Sequence, residues 1–260
     1  MHLRNENFVL TLARSARETI SEDYYDVEDA RLPRRSLRRA IEENKGTPLI
    51  TEVKFHSPAE GALRSHGDVR EIARAYQRGG ASGISVLTEP KHFEGSLEYL
   101  TSVKRAVTIP VLMKDIIIAR TQIEAARRAG ADAILLMASI FTNALSDFTL
   151  SQMIGFAHDA DLEVLLEAHA KDEYELALAS QADLVGINNR DLNTLEVSLD
   201  TSRRLLKSFP HGKPVVCESG ISKRSEILEL ETLGADGFLI GSSLMKSKDL
   251  ERAVRDLAGE

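Results

Sequence analysis

The sequence contains no tryptophan and one cysteine, and aromatic residues make up only 5% of its 260 residues. The single cysteine, Cys217, excludes a disulfide framework within the chain and fits a reducing compartment such as the cytoplasm. The longest apolar run, residues 133–138, is far too short to span a bilayer. The polar first twelve residues give no sign of a secretory signal peptide.

Positive charge is also in short supply. Lysine and arginine number 33 against 40 aspartates and glutamates, which gives a formal net charge of −7. No global basic field is therefore available to attract nucleic acid or an anionic membrane, and an anionic ligand has to be held by local groups. The seven histidines show neither HxxH nor HExxH spacing, so the sequence predicts no metal site.

What the chain does have is a repeat of short apolar runs. Four of them close on a charged residue, and they alternate with four that follow a Gly-Ala-Asp-like phrase. Eight strand-and-helix units in about 250 residues predict an α/β protein, a (β/α)8 TIM barrel. An open doubly wound sheet is the alternative, but no glycine-rich phosphate turn follows the first strand. The predicted strands are 48–54, 83–88, 110–114, 133–138, 163–168, 184–188, 214–218 and 237–241.

We expect one barrel domain over residues 1–260, with residues 1–47 as an N-terminal helical extension packed on the barrel. Apolar residues from Val9 to Ile20 recur at helical spacing, which predicts a peripheral helix. The basic segment Arg31–Arg39 has two interpretations: a solvated helix face, or a lid close to an anionic ligand. Later in the chain, Thr121-Gln-Ile-Glu124 has the pattern of a capping box, in which the threonine begins a helix.

The charged residues that close the odd strands are Glu52, Lys114, Glu167 and Glu218. Alternate strands of such a barrel contribute side chains to the same interior layer, so these four should share one level at the C-terminal mouth. Lys54 lies on the same face, two residues nearer solvent, while Asn188 and Gly241 close two even strands. The arrangement favours an acid–base site. A ring of mutually neutralising ion pairs, or a set of helix N-caps, is the structural alternative.

Small residues follow the last two predicted strands and suggest a phosphate site. They are Ser219 and Gly220 after the seventh strand, and Gly241 and Ser242 after the eighth. Those two loops form the usual phosphate site of TIM barrels, although the glycines would equally permit tight turns. Ser57, in the loop after the first strand, could add a further hydroxyl group. The residues alone thus predict a barrel enzyme that acts on a phosphorylated small molecule.

Several motifs between residues 48 and 246 resemble the indole-3-glycerol-phosphate synthase family, and they occur in the family's order. Gly186-Ile-Asn-Asn-Arg-Asp-Leu192 is the most specific of them, and the chain departs from the family pattern at Phe55 and Ala59. The other motifs are Ile50-Thr-Glu-Val-Lys54 with Ser57-Pro58, Thr88-Glu-Pro-Lys-His-Phe-Glu-Gly-Ser96, Val111-Leu-Met-Lys-Asp115, Leu166-Glu-Ala-His169, Leu195, Glu218-Ser-Gly-Ile221 and Ile240-Gly-Ser-Ser-Leu-Met245.

The resemblance implies a lyase of tryptophan biosynthesis. Its substrate would be 1-(2-carboxyphenylamino)-1-deoxyribulose 5-phosphate, converted to indole-3-glycerol phosphate with no cofactor or metal. Lys114 would be the acid for ring closure, Glu167 would assist dehydration, and Lys54, paired with Glu52, would hold the carboxylate and could donate a proton. By the same resemblance, Asn188, Arg190 and Glu218 would position the hydroxyl and charged groups; Ser57, Ser219, Gly220, Gly241 and Ser242 would hold the phosphate; and Phe93, Leu135 and Leu195 would line an apolar slot.

Two other functions are open at this point. One is a sugar-phosphate isomerase related to phosphoribosylanthranilate isomerase, which would use a Cys/Asp or Asp/Asp pair. The other is a barrel that binds phosphometabolites without catalysis. We expect a cytoplasmic monomer or weak homo-oligomer, compatible with association with other tryptophan-pathway enzymes, and no nucleic-acid or membrane partner.

Overall fold

A computed structural model describes residues 8–65, 67–209 and 212–260 of the chain. Its principal sheet is a closed barrel of eight parallel strands, in which each barrel strand pairs with its neighbours in the sequence and the first pairs with the last. Helices connect the strands. The predicted (β/α)8 barrel is therefore confirmed, and the open doubly wound sheet is excluded because the sheet has no free edge.

The strand limits agree with the predicted ones to within one residue. The barrel strands are β1 (Leu49–Val53), β4 (Gly83–Leu87), β5 (Val111–Lys114), β6 (Ala133–Met137), β7 (Glu163–Ala168), β8 (Leu184–Asn188), β9 (Val215–Glu218) and β10 (Gly237–Ile240). A small antiparallel hairpin that the sequence did not predict, β2 (His56–Ser57) with β3 (Gly61–Ala62), lies in the loop after β1.

Among the residues that the structure describes, two helices precede the barrel and ten alternate with or follow its strands. They are α1 (Phe8–Ser21), α2 (Leu37–Glu42), α3 (Val69–Arg78), α4 (Leu97–Ala106), α5 (Arg120–Ala129), α6 (Ala138–Thr142), α7 (Leu150–Asp159), α8 (Lys171–Ala179), α9 (Asp200–Ser208), α10 (Arg224–Thr232), α11 (Ser242–Met245) and α12 (Leu250–Ala258). Within the described residues, no helix is both long and apolar enough to cross a membrane.

Side chains alternate between the two faces of each barrel strand. Outward-facing residues such as Val86 and Cys217 pack in the layer between the sheet and the helices. Inward-facing residues fill the barrel in layers, and one apolar layer comes from β1, β5, β7 and β9. That layer consists of Ile50, Leu112, Leu165 and Val216, and the residues two places further along the same strands are Glu52, Lys114, Glu167 and Glu218.

The N-terminal helix α1 packs on the C-terminal mouth of the barrel. Its apolar face, which includes Val9 and Leu12, belongs to the same buried cluster as the barrel interior. The sequence had suggested a peripheral helix. The helix is instead part of the site's wall, because its apolar face closes part of the mouth. Residues 1–7 of the predicted extension lie outside the described residues.

The basic segment 31–39 lies at the opposite end of the barrel from that mouth. Glu163, the first residue of β7, accepts hydrogen bonds from the backbone N–H groups of Leu37 (2.7 Å) and Arg38 (2.9 Å). The backbone N–H of Arg35 similarly donates to Asp132, next to the start of β6 (2.8 Å). The lid interpretation is therefore wrong, since this segment begins α2 and covers the N-terminal end of the barrel.

Candidate active site

A cavity of about 720 Å³ opens at the C-terminal mouth. Every residue that the sequence nominated for the site lies in its wall, so residues spread over more than 180 positions are brought together. The nominated residues are Glu52, Lys54, Ser57, Phe93, Lys114, Leu135, Glu167, Asn188, Arg190, Leu195, Glu218, Ser219, Gly220, Gly241 and Ser242. This placement supports their nomination, while their individual roles remain predictions.

Lys114, the last residue of β5, lies between two carboxylates, Glu167 from β7 and Glu218 from β9. Its Nζ is 3.0 Å from Glu218 Oε2 and 3.2 Å from Glu167 Oε2. Burial would lower the pKa of Lys114, but the charges of Glu218, Glu167 and Glu52 outweigh burial and raise it above its ordinary value. Lys114 is therefore held as an ammonium group that is still a fifth exposed toward the cavity.

A second lysine is paired with the fourth charged residue of the layer. Lys54 Nζ is 2.8 Å from Glu52 Oε1, and the Glu52 side chain is only 2% exposed. Burial alone would raise the pKa of Glu52, but the charges of Lys54 and Lys114 lower it below its ordinary value. Glu52 therefore stays ionised and fixes Lys54 over the cavity.

Glu218 has the most unusual environment of the four. Its Oε1 is buried and has no hydrogen-bond partner among the described residues, while its Oε2 contacts Lys114. Burial is the main reason that the pKa of Glu218 rises to about 7; Lys114 opposes the rise and Glu167 adds to it. Gly186 on β8 makes room for this carboxylate, since a Cβ there would come within 2.3 Å of Glu218 Oε1. Glu218 can therefore exchange a proton near neutral pH.

The loop after β8 holds the polar groups on one side of the cavity. Asn188 Oδ1 accepts a hydrogen bond from the backbone N–H of Arg190 (2.9 Å), and the Asn188 carbonyl lies 2.8 Å from His169 Nδ1. Arg190 Nη1 donates to the Leu195 carbonyl (3.0 Å), which fixes the guanidinium group within its own loop. These hydrogen bonds hold Asn188 and Arg190 at the cavity wall.

The next residue, Asn189, orders the loop that follows β9. Its Nδ2 donates to the carbonyl of Ser219 (3.1 Å), and its Oδ1 accepts from both the N–H (3.0 Å) and the hydroxyl (2.8 Å) of Ser202. Ser219 has a φ of +66°, which is uncommon for a residue with a side chain. Asn189 is buried and therefore positions Ser219 without entering the cavity, a role that the sequence alone did not reveal.

The opposite side of the cavity is apolar. Leu135 belongs to the barrel's inner cluster, and Phe93 packs against that cluster from the loop after β4. Glu89 shapes that loop because its carboxylate accepts hydrogen bonds from the backbone N–H groups of His92 (2.7 Å) and Phe93 (3.0 Å). Phe8 and Leu12 of α1 complete this wall. The cavity thus combines an apolar side with a charged floor and a polar end.

Known proteins resemble this chain along most of its length. The sequence model of the indole-3-glycerol phosphate synthase family matches residues 11–257. Proteins named indole-3-glycerol phosphate synthase are 39% identical over 226 residues in Campylobacter fetus subsp. fetus (87% of this chain, 86% of the relative) and 45% identical over 213 residues in Geobacillus thermodenitrificans (82% and 81%). The chain belongs to the indole-3-glycerol phosphate synthase family.

This finding confirms the family predicted from the sequence and, with it, a lyase rather than a binding module. A third relative, the indole-3-glycerol phosphate synthase of Aquifex aeolicus, is 41% identical over 239 residues, covering 86% of this chain and 91% of its own. The solved structure of thiamine phosphate pyrophosphorylase from Pyrococcus furiosus aligns with a TM-score of 0.60 at 20% identity, covering 85% of this chain and 96% of that one. That likeness concerns the barrel fold alone.

The structure adds residues to this family site that the sequence did not single out. Asp115 follows Lys114 and is buried; its carboxylate accepts hydrogen bonds from Thr88 Oγ1 (2.5 Å) and Tyr25 Oη (3.1 Å), and burial raises its pKa to about 7. Glu60 and Lys246 lie at the polar end of the cavity. Asp115 had a sequence signal, since it ends the family-like motif that begins at Val111, whereas Glu60 and Lys246 lie just outside the family-like motifs.

Two other side chains lie away from the cavity. Cys217 is fully buried on the outer face of β9, and burial raises the pKa of its thiol to about 12, so it is not a nucleophile of this site. Phe55 points into the core, where its ring packs edge-on against Tyr99 with 5.7 Å between centroids, whereas Ala59 lines the cavity.

In the part of the chain described by the structure, no cluster of three acidic, histidine or cysteine residues is arranged to hold a metal ion.

Proposed function

We propose that this protein converts 1-(2-carboxyphenylamino)-1-deoxyribulose 5-phosphate to indole-3-glycerol phosphate, with release of carbon dioxide and water. The observation that carries the proposal is the position of Lys114 between Glu167 and Glu218, on the floor of a cavity with one apolar and one polar end. The substrate has three parts that match these three regions of the cavity: an aromatic ring, a reactive ketone and a phosphate, all on one short chain.

In this proposal Lys114 protonates the ketone oxygen while the ring carbon attacks the carbonyl carbon. A proton donor there prevents a localised negative charge on oxygen, and the raised pKa of Lys114 keeps it in the protonated form that a donor needs. Loss of the carboxylate as carbon dioxide then restores the electrons to the ring. Lys54, held by Glu52, would bind that carboxylate until it leaves.

Dehydration completes the reaction. The new hydroxyl group accepts a proton from the Lys54 ammonium group and leaves as water, while a base removes the proton on the neighbouring carbon of the new ring. Glu167 would act as that base. The positions of Asn188, Arg190 and Glu218 suit hydrogen bonds with the hydroxyl groups of the chain. Those of Ser57, Ser219, Gly220, Gly241 and Ser242 suit the phosphate. Phe93 and Leu135 on the apolar side suit the ring, and Leu195 would contact it from the loop after β8.

The rival functions have less support. A Cys/Asp isomerase would need a thiol at the cavity, but the one cysteine is buried behind the sheet. A barrel that only binds phosphometabolites would have no use for an ammonium group held between two carboxylates beside a third, since burying such charges has a large desolvation cost. We further propose that the protein acts in the cytoplasm. We also propose that it is a monomer or weak homo-oligomer, which light scattering of the purified protein would measure.

The decisive test is the appearance of indole fluorescence when the substrate is added to the purified protein in the presence of EDTA. The chain contains no tryptophan, so its own emission comes from tyrosine and leaves the indole signal readable. We expect fluorescence to rise in proportion to protein concentration. A rise that requires added divalent metal would contradict the metal-free mechanism. No rise under either condition, with a substrate analogue still bound, would favour the binding barrel.

A further inference from the structure

The carboxylate of Glu60 occupies the polar end of the cavity. Its Oε1 is 2.7 Å from the hydroxyl oxygen of Ser242 and 3.4 Å from Arg190 Nη2, and its Oε2 is 2.6 Å from Lys246 Nζ. A hydroxyl, a guanidinium and an ammonium group thus converge on one anion that belongs to the protein itself. Hydroxyl, guanidinium and ammonium groups are also the donors that commonly bind phosphate groups in proteins.

A phosphate and this carboxylate cannot share those donors. Two anions within a few ångströms repel each other, and each donor has a limited number of hydrogens to offer. Burial opposes ionisation of Glu60, but hydrogen bonds and charge from Lys246 and Ser242 outweigh it and lower the pKa of Glu60, so the competing group is an anion at neutral pH. Binding of a phosphate at this end therefore requires Glu60 to leave.

Glu60 is attached in a way that permits it to leave without unfolding the loop. It lies in the turn of the β2–β3 hairpin, where its backbone N–H donates to Ser57 Oγ (3.1 Å). Beyond the hairpin, Arg64 Nη1 ties the chain to the carbonyl oxygens of Met245 (3.2 Å) and Ser247 (3.0 Å). The Glu60 side chain is 26% exposed and that of Lys246 is 54% exposed, so a side-chain rotation takes the carboxylate into solvent.

We propose that Glu60 is a placeholder for the substrate's phosphate group. Lys246 is then a phosphate-binding residue that forms an ion pair with Glu60 until the substrate binds. The proposal rests on the proposed function, which assigns a phosphate to this end of the cavity. Glu60 then sets substrate affinity without touching the reacting atoms. It also selects for a ligand whose anionic group is strong enough to displace a carboxylate.

Glu60→Gln tests the first half of this proposal, with inorganic phosphate as the probe. The amide keeps the size of the side chain but removes its charge, so we expect phosphate to bind roughly three- to tenfold more tightly by calorimetry. The KM of the substrate should fall by a similar factor while kcat changes less than about twofold. Glu196→Gln is the matched control, because Glu196 is exposed on a neighbouring loop outside the cavity lining, and it should change neither constant.

Lys246→Met tests the second half, with Lys248→Met as its control. Lys248 is also exposed, two residues further on, and does not line the cavity. We expect Lys246→Met to weaken phosphate binding roughly three- to tenfold, and Lys248→Met to leave it unchanged. In the Lys246→Met background, Glu60→Gln should strengthen phosphate binding less than it does alone, because the shorter of the two ion pairs of Glu60 is already gone and only the contact with Arg190 is left to break.

The proposal is overturned if Glu60→Gln and Glu60→Ala leave phosphate affinity unchanged or weaken it, in which case the contact is a structural ion pair of the cavity rim. It is also overturned if Lys246→Met has no effect. The calorimetry needs no turnover, so this failure is distinct from failure of the proposed function. Indole formation by the wild type, with no effect of Glu60, would leave the proposed function intact and remove only the placeholder.

Discussion

At the scale of single residues, Lys114 has two separable properties. It carries the proton that ring closure requires, and it neutralises the facing carboxylates of Glu167 and Glu218. Lys114→Ala should therefore lower kcat by roughly 10²- to 10⁴-fold, the usual contribution of a positioned general acid. Affinity for inorganic phosphate should stay within about tenfold of the wild type, because the phosphate end lies on other loops. Stopped-flow indole fluorescence and calorimetry measure the two effects.

Lys171→Ala is the control for that substitution, since Lys171 is a well-exposed lysine on α8 with its side chain 68% exposed. It should change neither kcat nor phosphate affinity. If Lys114→Ala instead weakened phosphate binding as strongly as it lowered the rate, Lys114 would be a binding group that contributes equally to the ground state and the transition state.

Glu218 should make the stability of the protein depend on pH near neutrality. Its pKa rises from an ordinary 4.5 to about 7 in the folded protein, so the folded state holds this proton more tightly than the unfolded state does. The stability contributed by the neutral form is complete below about pH 4.5 and is lost as the pH rises through 7. From the shift, we expect a loss of about 1–3 kcal/mol that Glu218→Gln abolishes.

Urea denaturation at several values between pH 5 and pH 8 measures this contribution as the difference between the two proteins. Asp115, whose pKa also rises to about 7, is present in both and cancels in the comparison. Parallel profiles for the wild type and Glu218→Gln would mean that Glu218 titrates at its ordinary pKa.

At the scale of elements, the strands could be predicted from the sequence because each is a buried apolar run with a charged or small residue at its end. Helix starts were less predictable. Thr121 was predicted to cap α5, but α5 begins at Arg120, and Gln122 Oε1 instead accepts hydrogen bonds from the N–H groups of Ile118 (2.8 Å) and Ala119 (3.1 Å). Thr121 and Gln122 were both able to bond the free N–H groups at the start of α5. The sequence does not show which of the two does so, and only the tertiary structure decides.

The end of α5 provides a test with a matched control in another helix. Gly130 has a φ of +96°, and a Cβ there would come within 2.9 Å of Leu32 Cδ1. Gly130→Ala should therefore reduce the free energy of unfolding by more than about 1 kcal/mol. Gly155 lies inside α7 with open space at the Cβ position, so Gly155→Ala should stabilise by about 0.5–1 kcal/mol. Thermal denaturation of the two variants should give changes of opposite sign, and equal signs would contradict this account.

At the scale of the whole molecule, the sequence predicted the barrel and the members of its charged layer because both follow from a repeat. The positions of α1 and α2 could not be predicted in the same way. An amphipathic helix such as α1 reveals that it packs on something, but not on which end of the barrel, and the arginines of segment 31–39 could equally have bound a ligand. Glu60 and Lys246 are 186 positions apart, and only the closed barrel brings them into contact.

The two ends of the barrel should respond differently to the same substitution on the same strand. Glu163 begins β7 and binds the start of α2 through Ser36, Leu37 and Arg38, whereas Glu167, four residues later, contacts Lys114. The N-terminal face of a TIM barrel contributes to stability and the C-terminal face to catalysis. Glu163→Ala should therefore cost about 1–3 kcal/mol of stability through its lost hydrogen bonds, with kcat within about twofold of the wild type.

Glu167→Ala should show the reverse behaviour. Lys114 keeps its contact with Glu218 at 3.0 Å, so the change in stability should be smaller than that of Glu163→Ala. The loss of a proton-transfer group should lower kcat by roughly a hundredfold or more. Urea denaturation and the indole assay on both variants measure the separation. A large loss of activity in Glu163→Ala at a temperature where it remains folded would show that α2 and the bottom of the barrel act on the site, and that the two ends are not independent.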